Sequence, residues 1–326
     1  MLQRVDVEAE AERCGSEWVG RRGRLRVTLE EGPAVVRGDR ILVRLRVRPL
    51  AMPRNPTDAD PWDLARRYQW AARGQVRSHH VLVEHGQGWV AALDRRRQAT
   101  ASLYEQSLSP ESAPLAKALG VGDQGGISLA QRDRWATAGT AHLYSVSGLH
   151  VALIVMLAYA ALRFLLGSIP GLSERISAPR LAAVAALPVL AAFCVWTGAP
   201  VPAIRAAVMA GAYLTGIALG RPSSGLNALA LAGAGLVLVD PTSLYDLSFL
   251  LSFAAVAALL WAPRLPPSRN LAERLRRVAF GSLIASTAAT LVTAPITAYH
   301  FGQISLAAPL VNLVAVPLGA AVATPL

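Results

Sequence analysis

Seven apolar stretches follow one another after residue 142, and they constrain the fold of this chain more than any other feature of its sequence. A helix needs about 20 mostly apolar residues to cross a bilayer core of about 30 Å, and shorter spans occur inside helical bundles. Residues 143–326 hold only 10 of the 32 Lys and Arg residues and 4 of the 21 Asp and Glu residues. The sequence therefore predicts a polytopic α-helical membrane domain over residues 142–326, preceded by a polar region.

Six membrane spans and the start of a seventh are predicted from the lengths of the apolar runs. Asp240-Pro241 separates the fourth span from the fifth, because proline lacks a backbone N–H and disfavours helix in the residue before it. We expect a tight turn there instead of one long helix. The predicted spans are 143–166, 181–197, 201–219, 226–239, 247–262 and 278–300, with 306–326 opening another.

The connections between spans predict the orientation, because short loops that carry Lys or Arg stay on the cytoplasmic side. Connections two, four and six carry no basic residue. This asymmetry places the polar region 1–142 outside the cytoplasm. Connections one, three and five, with the span ends beside them, carry nine arginines: Arg163, Arg175, Arg180, Arg221, Arg264, Arg269, Arg274, Arg276 and Arg277.

The two ends of the chain do not match this topology. Residues 1–20 contain no apolar run that would serve as a signal peptide or anchor, and the last apolar run reaches Leu326 without a polar flank. From the sequence we expect a chain that is incomplete at both ends.

The polar region begins with apolar and polar residues in alternation, as in amphipathic strands; the third of these strands contains Ile41, Val43, Leu45 and Val47. We predict a small five-stranded β-barrel over residues 1–95, with a helix over 64–72 and strand again over 76–93. Residues 96–141 are predicted to form a helical juxtamembrane segment, in which Ser128 and Gln131 make a capping box.

Three arginines of the third strand are candidates for binding a phosphate backbone. Arg44, Arg46 and Arg48 alternate with the apolar residues, so their side chains project from one face at intervals of about 7 Å. A solvated outer strand face is the alternative, because charged residues are usual there. The aromatic residues of the next segment, Trp62, Tyr68 and Trp70, suit either base stacking or packing of the predicted helix on the barrel.

Two other groups of reactive side chains carry little weight. His79, His80, Glu84 and His85 are potential metal ligands, but on a strand they divide between two faces, and we predict no metal site. The two cysteines fall one in each half of the chain, which excludes a disulfide-stapled domain.

The start of the first span carries polar residues where an ordinary span has leucines. The segment from His142 to Val151 reads HLYSVSGLHV, which resembles the HL-x-x-VSGLHV signature of the ComEC family, membrane channels that pass single-stranded DNA into bacteria during natural transformation. Further segments resemble family motifs in the same order: Arg54-Asn55-Pro56, Leu119-Gly120 with Gly122-Asp123, Pro202 with Arg205-Ala206, Asp240-Pro241 with the run Leu247 to Ala254, and Phe301 to Ser305 with Pro309, Asn312 and Pro317.

The resemblance implies an OB-like extracytoplasmic barrel in front of a channel in the bacterial cytoplasmic (inner) membrane. It implies single-stranded DNA and membrane lipid as partners, together with a DNA receptor and a cytoplasmic helicase or translocase, and it leaves a homo-oligomer open. The residues expected to serve the channel are His142, Ser145, Ser147, Gly148, His150, Arg205, Ser248, Ser252, Thr290, Gln303 and Asn312.

The chain also departs from the family pattern. The metal motif H-x-H-x-DH, found in a hydrolase-like domain of many members, does not occur in this sequence, so we expect a transport channel without cofactors and not an enzyme. Thr57 replaces the glycine of the family's NPG motif, and the Asp/aromatic pair is displaced to Trp62-Asp63, which leaves the linker geometry open.

Polar side chains at bilayer depth give an independent reason to consider a channel, since they are costly there. Arg205 lies in the third span, where snorkelling to the membrane surface and contact with a phosphate are both open interpretations. The spans themselves contain no Asp or Glu apart from the turn that holds Asp240 and Asp246. The sixth span carries hydroxyls at helical spacing, suited to a conduit or to bonding within the helix: Ser282, Ser286, Thr290, Thr293 and Thr297.

Two other functional classes remain open on the sequence. An intramembrane serine protease of the rhomboid type would use Ser147 and His300 as a dyad, although Ser145 stands where the G-x-S-G motif of such enzymes requires glycine. A permease for small solutes is the second, and it would not need the barrel or its arginines.

Overall fold

The computed structural model describes residues 3–14, 16–29, 32, 34–48, 65, 69–76, 80–169, 177–221, 224–263, 265–267, 270–302 and 304–323. The chain divides into two compact units, Met1–Pro110 and Glu111–Leu326. The first contains the strands and one helix, and the second contains the apolar helices. The predicted boundary at residue 95 falls inside the helix that belongs to the first unit.

Six strands are described in the first unit, and they form two sheets. The four-stranded sheet has the order β1-β2-β5-β4, in which β2 and β5 are parallel and the other pairs antiparallel; β3 and β6 form an antiparallel pair of their own. Among the described strands no pairing joins the two sheets, so the predicted closed barrel is not formed by them. The strands are β1 (Gln3–Cys14), β2 (Glu17–Leu29), β3 (Arg40–Leu42), β4 (Leu45–Arg48), β5 (Trp70–Val76) and β6 (Val81–Glu84).

The predicted alternation of faces is present in these strands. The inner face of the larger sheet buries Val27, Leu29 and Val76 with Val35, and Ile41, Val43 and Leu45 pack against this cluster. The outer face carries charged residues. Arg40 links the two sheets at their edges, because its guanidinium contacts Glu10 of β1 at 2.7 Å and Glu84 of β6 at 3.3 Å.

Three local predictions for this unit are wrong. The third strand is interrupted after Leu42, so that residues 40–42 pair with β6 while residues 45–48 pair with β5. Residues 70–72 belong to β5, where a helix was predicted, because they join a sheet next to β2. Residues 89–93 are helical instead of extended, since helix α1 (Trp89–Ser107) begins directly after Gly88, which has a positive φ of 92°.

The predicted histidine cluster is divided among different contacts. His80 is buried, with its ring directly against Gly32, whereas Glu84 forms the ion pair with Arg40. His85 is exposed, and His79 lies outside the described residues. The three described members of the group, His80, Glu84 and His85, therefore share no common centre.

Helix α1 is attached to the loop before β3 through Asp94. The carboxylate accepts hydrogen bonds from Nε of Arg37 at 2.6 Å, from the second guanidinium nitrogen of Arg37 at 2.8 Å and from Arg97 at 3.0 Å. Burial by itself raises the pKa of Asp94, but the bonds and charge of Arg37, with the bond from Arg97, outweigh burial and leave this pKa below its usual value. Gln98 adds a bond to the carbonyl of Val35 at 3.0 Å.

The second unit is helical throughout its described elements. The predicted capping box of Ser128 and Gln131 is confirmed at the start of α3. The helices are α2 (Ala113–Gly120), α3 (Leu129–Thr137), α4 (Gly148–Gly167), α5 (Ala178–Trp196), α6 (Val201–Ala218), α7 (Gly225–Val239), α8 (Leu247–Trp261), α9 (Leu271–Phe301) and α10 (Ala308–Ala323), with 3-10 turns at Ala141–Leu143 and Pro241–Tyr245.

Four of these helices, α4, α5, α6 and α9, are long and apolar enough to cross a membrane, and α7, α8 and α10 contain shorter apolar segments. The second unit is therefore that of a helical membrane protein. The predicted turn at Asp240-Pro241 is present as a 3-10 turn between α7 and α8. The first span starts at Gly148, later than predicted, because residues 141–143 form the separate 3-10 turn.

The core of the second unit lies between α4, α5 and α6. Small residues such as Ala183, Ala186 and Ala203 are fully buried there beside Val151 and Leu190. Because lipid offers no hydrophobic advantage to helix contacts, close packing of small side chains is the usual way for membrane helices to associate. The helices that contribute the functional candidates are thus held by a tight apolar core.

The segment between α2 and α3 packs against the end of α5. The indole N–H of Trp196 donates to the carbonyl of Gly120 at 3.0 Å, and a Cβ at Gly122 would collide with the carbonyl of Thr197. Gly122 also has a positive φ of 73°, so this position requires glycine for both reasons. The close approach fixes α2 on the connection between α5 and α6.

Candidate functional site

An exposed group of arginines lies on the outer face of the four-stranded sheet. Arg44, Arg46 and Arg48 are exposed as predicted, and Val43 and Leu45, which alternate with them, pack on the core. The register adds Arg73 of β5, directly opposite Arg48, and Arg24 of β2. We call these five residues the arginine face.

The arginine face ends at the acidic outer face of β1. One row of facing residues crosses the sheet in the order Asp6, Arg26, Arg73 and Arg48. In the neighbouring row, Glu8 of β1 faces Arg24. The positive charge therefore lies on β2, β5 and β4, and the negative charge lies on the edge strand β1.

The arginines of this unit differ in their partners. Arg26 lies 3.8 Å from Asp6, Arg37 is bonded to Asp94, and Arg40 is bonded to Glu10 and Glu84. Within the described part of the chain, by contrast, no carboxylate contacts the guanidinium groups of the arginine face. Like charges directly opposite each other in a sheet are destabilising, and Arg48 faces Arg73 in this way.

Trp70 is not available for stacking on bases in this structure. Its side chain is 5% exposed and packs with Ala65, and the Arg26 guanidinium lies 4.3 Å from its ring centre. Trp70 thus packs from strand β5, and not from the helix that the sequence predicted. Trp62 and Tyr68 lie outside the described residues.

The predicted signature segment forms the start of α4. Ser147 is the N-cap, and the His150 ring accepts hydrogen bonds at Nδ1 from the Ser147 backbone N–H at 3.1 Å and from its hydroxyl at 3.0 Å. This reciprocal arrangement is a capping box in which histidine occupies the position usual for Glu or Gln. It fixes His150 at the beginning of the span, where its ring is 4% exposed.

The second nitrogen of His150 has a different environment. Since Nδ1 accepts two bonds, Nε2 carries the proton, and this buried donor has no hydrogen-bond partner among the described residues. Gly148, beside it, lies close to α6, because a Cβ there would be 3.5 Å from the Cβ of Ala206. Of the two remaining signature residues, His142 is exposed in the 3-10 turn and Ser145 is half-buried.

Arg205 does not snorkel to the surface, and its contact with a phosphate stays a prediction. Its side chain is buried in α6, donates a hydrogen bond to the hydroxyl of Ser248 and lies 3.9 Å from the Asp246 carboxylate. Asp246 is also the N-cap of α8, where it accepts a bond from the backbone N–H of Ser248 at 2.8 Å. A charge in a membrane domain is thus paired internally between α6 and α8.

Two of the hydroxyls of α9 bond within their own helix. Thr293 donates to the carbonyl of Ala289 at 2.8 Å, and Thr297 donates to that of Thr293 at 3.2 Å. Ser252 of α8 behaves similarly, with a bond to the Phe249 carbonyl at 3.1 Å. Helix-internal bonding therefore accounts for these side chains.

Two further hydroxyls of α9, those of Ser286 and Thr290, are half-buried. Ser286 differs, since it accepts a bond from Asn312 of α10 at 3.1 Å, which joins the two helices. Thr290 is half-buried on α9, and Gln303 lies outside the described residues. For the channel roles of these residues the sequence prediction stays a prediction.

The Ser147–His300 pair of the protease alternative is not present in the structure. The hydroxyl of Ser147 is bonded to His150, and His300 is exposed, with its ring edge-on to Tyr299 at 5.0 Å. The capping geometry explains why a serine and a histidine meet at the start of α4.

Sequence reasoning missed two parts of these sites. Arg24, Arg26 and Arg73 alternate with smaller or apolar neighbours in the same way as Arg46, and this signal would have marked them as outward-facing. The pairing of Asp246 with Arg205 had a weaker signal: the predicted topology places the turn after α7 at the same membrane side as the start of α6.

Comparison with known proteins gives one family and several relatives. The family model described as competence protein matches residues 119–326, well over half of the chain. Competence protein ComA of Neisseria gonorrhoeae is 32% identical over 259 residues, 78% of this chain and 36% of that protein. Uncharacterized protein YcaI of Escherichia coli (strain K12) is 33% identical over 217 residues, which is 64% of this chain and 27% of that protein.

ComE operon protein 3 of Bacillus subtilis (strain 168) is 28% identical over 221 residues, 68% of this chain and 26% of that protein. The chain thus spans between 26% and 36% of the length of these relatives. No solved structure matches the chain.

Proposed function

The chain belongs to the competence protein family, and from that premise we propose that it is a component of the inner-membrane channel that imports single-stranded DNA during natural transformation. The observation that carries the proposal is the arginine face, whose guanidinium groups no carboxylate of the described residues contacts. It stands in the same chain as a helical unit poor in carboxylates. A polyanion needs positive charge for capture and a path without negative charge for passage.

The arginines of the helical unit support the proposed orientation of the chain in the membrane. Short cytoplasmic connections are enriched in Lys and Arg, and Arg221 and the group at the start of α9 lie on alternate connections. The proposal therefore has the first unit, with its arginine face, on the extracytoplasmic side. In this proposal the first unit is an OB-like domain that captures the strand before it enters the membrane.

The start of α4 is proposed to shape the passage. The capping box of Ser147 fixes the ring of His150, and Gly148 permits the close approach of α6. The buried Nε2–H of His150 is a donor that a phosphate oxygen or a water molecule would satisfy. His142, Ser145, Ser252, Thr290, Gln303 and Asn312 are retained as residues that serve the channel.

We propose a transport role and no hydrolytic one for these residues. The hydroxyl of Ser147 and the ring of His150 are held by the helix cap. The ring of His300 contacts Tyr299 instead. A DNA receptor and a cytoplasmic helicase or translocase are the proposed partners. The receptor would bring DNA to the channel from outside, and the helicase or translocase would pull the strand into the cytoplasm. Assembly of several copies around the strand is compatible with this role.

The proposal is tested by uptake of labelled DNA in a transformation assay. His150→Ala and Gly148→Leu should each block uptake while the protein remains inserted at normal levels. Gly148→Ala and His300→Ala are the matched controls, because the first fits beside Ala206 and the second alters an exposed histidine. Normal uptake by His150→Ala and Gly148→Leu would contradict the proposal.

Variants of Ser147 and His300 separate the channel from the protease alternative. Labelling by a fluorophosphonate probe that is lost in both Ser147→Ala and His300→Ala would favour a protease. Reporter fusions at residues 100 and 270 test the topology, since the proposal requires them on opposite sides of the membrane. Finding both on one side would contradict the orientation.

A further inference from the structure

The outer face of the four-stranded sheet offers a path for nucleic acid that crosses the strands. The three arginines at 44, 46 and 48 suggest by themselves a path along β4. The register changes this, because Arg73 on β5 stands directly opposite Arg48. Adjacent strands are about 4.8 Å apart, so the two guanidinium groups start from neighbouring backbones and point to the same side.

The absence of a contacting carboxylate, among the described residues, distinguishes this pair from Arg26 and Arg40. Arg26 and Arg40 have carboxylates within 4 Å, whereas no carboxylate contacts Arg48 or Arg73 within the described ranges. Two facing arginines repel each other in the empty state. An anion between them removes that repulsion and accepts hydrogen bonds from both guanidinium groups.

The surroundings of the pair favour a nucleic acid over a lipid surface. A membrane-binding patch interleaves arginine with large exposed apolar side chains. On this face, the neighbour of Arg46 across the strands is Gln75, followed by Thr28 of β2. Polar side chains of this kind suit phosphate and base contacts and not acyl chains.

The edge strand β1 limits the path on one side. Asp6 and Glu8 face Arg26 and Arg24 across the β1–β2 pair, and both acidic side chains are exposed. Their charge repels a phosphate backbone, which confines it to β5, β4 and the residues before β4.

We propose that single-stranded DNA crosses β5 and β4 with a phosphate between Arg73 and Arg48, and that the acidic edge strand β1 excludes it from the other half of the sheet. The identity of the strand rests on the proposed function. The path itself rests on the register and on the pairing of the arginines.

The test uses the full chain in nanodiscs of neutral lipid and a fluorescent oligothymidine, with affinity measured over a range of salt concentrations. For a single strand, each phosphate contact contributes about 0.7 to the slope of log affinity against log salt. Arg48→Gln with Arg73→Gln removes the neutralisation of the one phosphate between them and should therefore lower the slope by about 0.7. Glutamine retains hydrogen-bonding capacity and removes the charge, with a shorter side chain.

The matched control removes two charges elsewhere in the same unit. Arg40→Gln with Arg96→Gln alters an ion-paired arginine and an exposed arginine of α1, and it should leave the slope close to that of the unchanged protein. Equal losses in both double variants would overturn the proposed path. Glu8→Gln provides a second measurement, which should tighten binding about twofold because it removes repulsion at β1.

The remaining outcomes separate the path from the proposed function. A slope that is unchanged in the Arg48/Arg73 variant overturns the path and leaves import untouched. Normal DNA uptake by the His150 and Gly148 variants overturns import, while a slope reduced by about 0.7 still supports the path. If the Arg48/Arg73 variant lost its binding to anionic vesicles but kept its binding to DNA, the arginine face would be assigned to lipid. That result would overturn the proposal.

Discussion

The two units treat arginine in opposite ways. On the sheet, Arg48 and Arg73 are exposed, and within the described residues no carboxylate contacts them, although they face each other. In the helical unit, Arg205 is buried and lies beside Asp246 and Ser248. Water solvates an exposed guanidinium at little cost, whereas a buried one must be paired or bonded. The exposed arginines are consequently free to bind an external anion, and Arg205 has a role within the structure.

The largest effect is expected at Arg205, the buried arginine of this comparison. Asp246→Asn keeps an N-cap residue on α8 but removes the charge beside Arg205. Leaving a buried cation without its carboxylate should lower the free energy of unfolding by about 3 kcal/mol. The measurement is denaturation of the protein in detergent, followed by circular dichroism.

Asp240→Asn is the control for that prediction, because Asp240 caps the preceding 3-10 turn by accepting a bond from Thr242 at 3.0 Å. It should change the free energy by less than about 0.5 kcal/mol, as is usual for exposed positions. Equal effects in the two variants would show that Arg205 does not depend on Asp246.

A smaller effect is expected from Ser248→Ala. This change removes the hydroxyl that accepts the hydrogen bond of Arg205 but leaves the backbone cap by Asp246 in place. Loss of a bond to a buried charged group should cost about 2 kcal/mol. A double-mutant cycle with Asp246→Asn should show coupling between the two positions, and strict additivity would mean that they act on Arg205 independently.

The ion pair of Arg37 and Asp94 in the first unit should make an intermediate contribution to stability. The pKa of Asp94 lies below its usual value in the folded protein because of Arg37 and Arg97, so its stabilisation is complete above the unfolded pKa of about 3.9. It is lost as pH falls through the lower folded value. We expect a loss of about 1 kcal/mol, since Arg37 is largely exposed.

Thermal unfolding or amide exchange of α1 between about pH 5 and pH 2 measures this loss. Asp94→Asn should be less stable at pH 5 and should show a flatter pH dependence than the unchanged protein. A parallel pH dependence in both proteins would rule out Asp94 as its source.

The smallest expected effect has the opposite sign. Arg73→Gln removes the repulsion with Arg48, so the first unit should become more stable by about 0.3 kcal/mol. Arg40→Gln removes two exposed ion pairs and should lower stability only slightly, because solvent screens exposed charges. Differential scanning of the two variants gives the comparison, and a clear destabilisation by Arg73→Gln would indicate a structural role for that residue.

The helical unit followed the sequence closely because its pattern is local. A run of apolar residues must be helical in a membrane to satisfy its own backbone groups, so span positions near α5, α6 and α7 were within a few residues of the structure. The cap at Ser128 was also local, since both of its partners lie within one helical turn. The start of α4 was less accurate, because the signature segment contains both a turn and a helix.

The first unit was predicted less well because strand pairing is not local. Alternation showed which residues face the core, as the exposed Arg44 and Arg46 illustrate. It did not show that the segment divides between two sheets at Leu42, nor that residues 70–72 join a sheet. Those outcomes depend on contacts with β6 and β2, which lie far away in the sequence.

The sequence alone determined the division into a polar region and a helical membrane domain, the faces of the strands and the resemblance carried by His142 to Val151. Only the tertiary structure decided which charges meet: Arg48 with Arg73 across a sheet, and Arg205 with Asp246 between two helices. Periodicity fixes the side from which a residue projects, because backbone geometry repeats along the chain. Partners are fixed by register and helix packing, which depend on the whole unit at once.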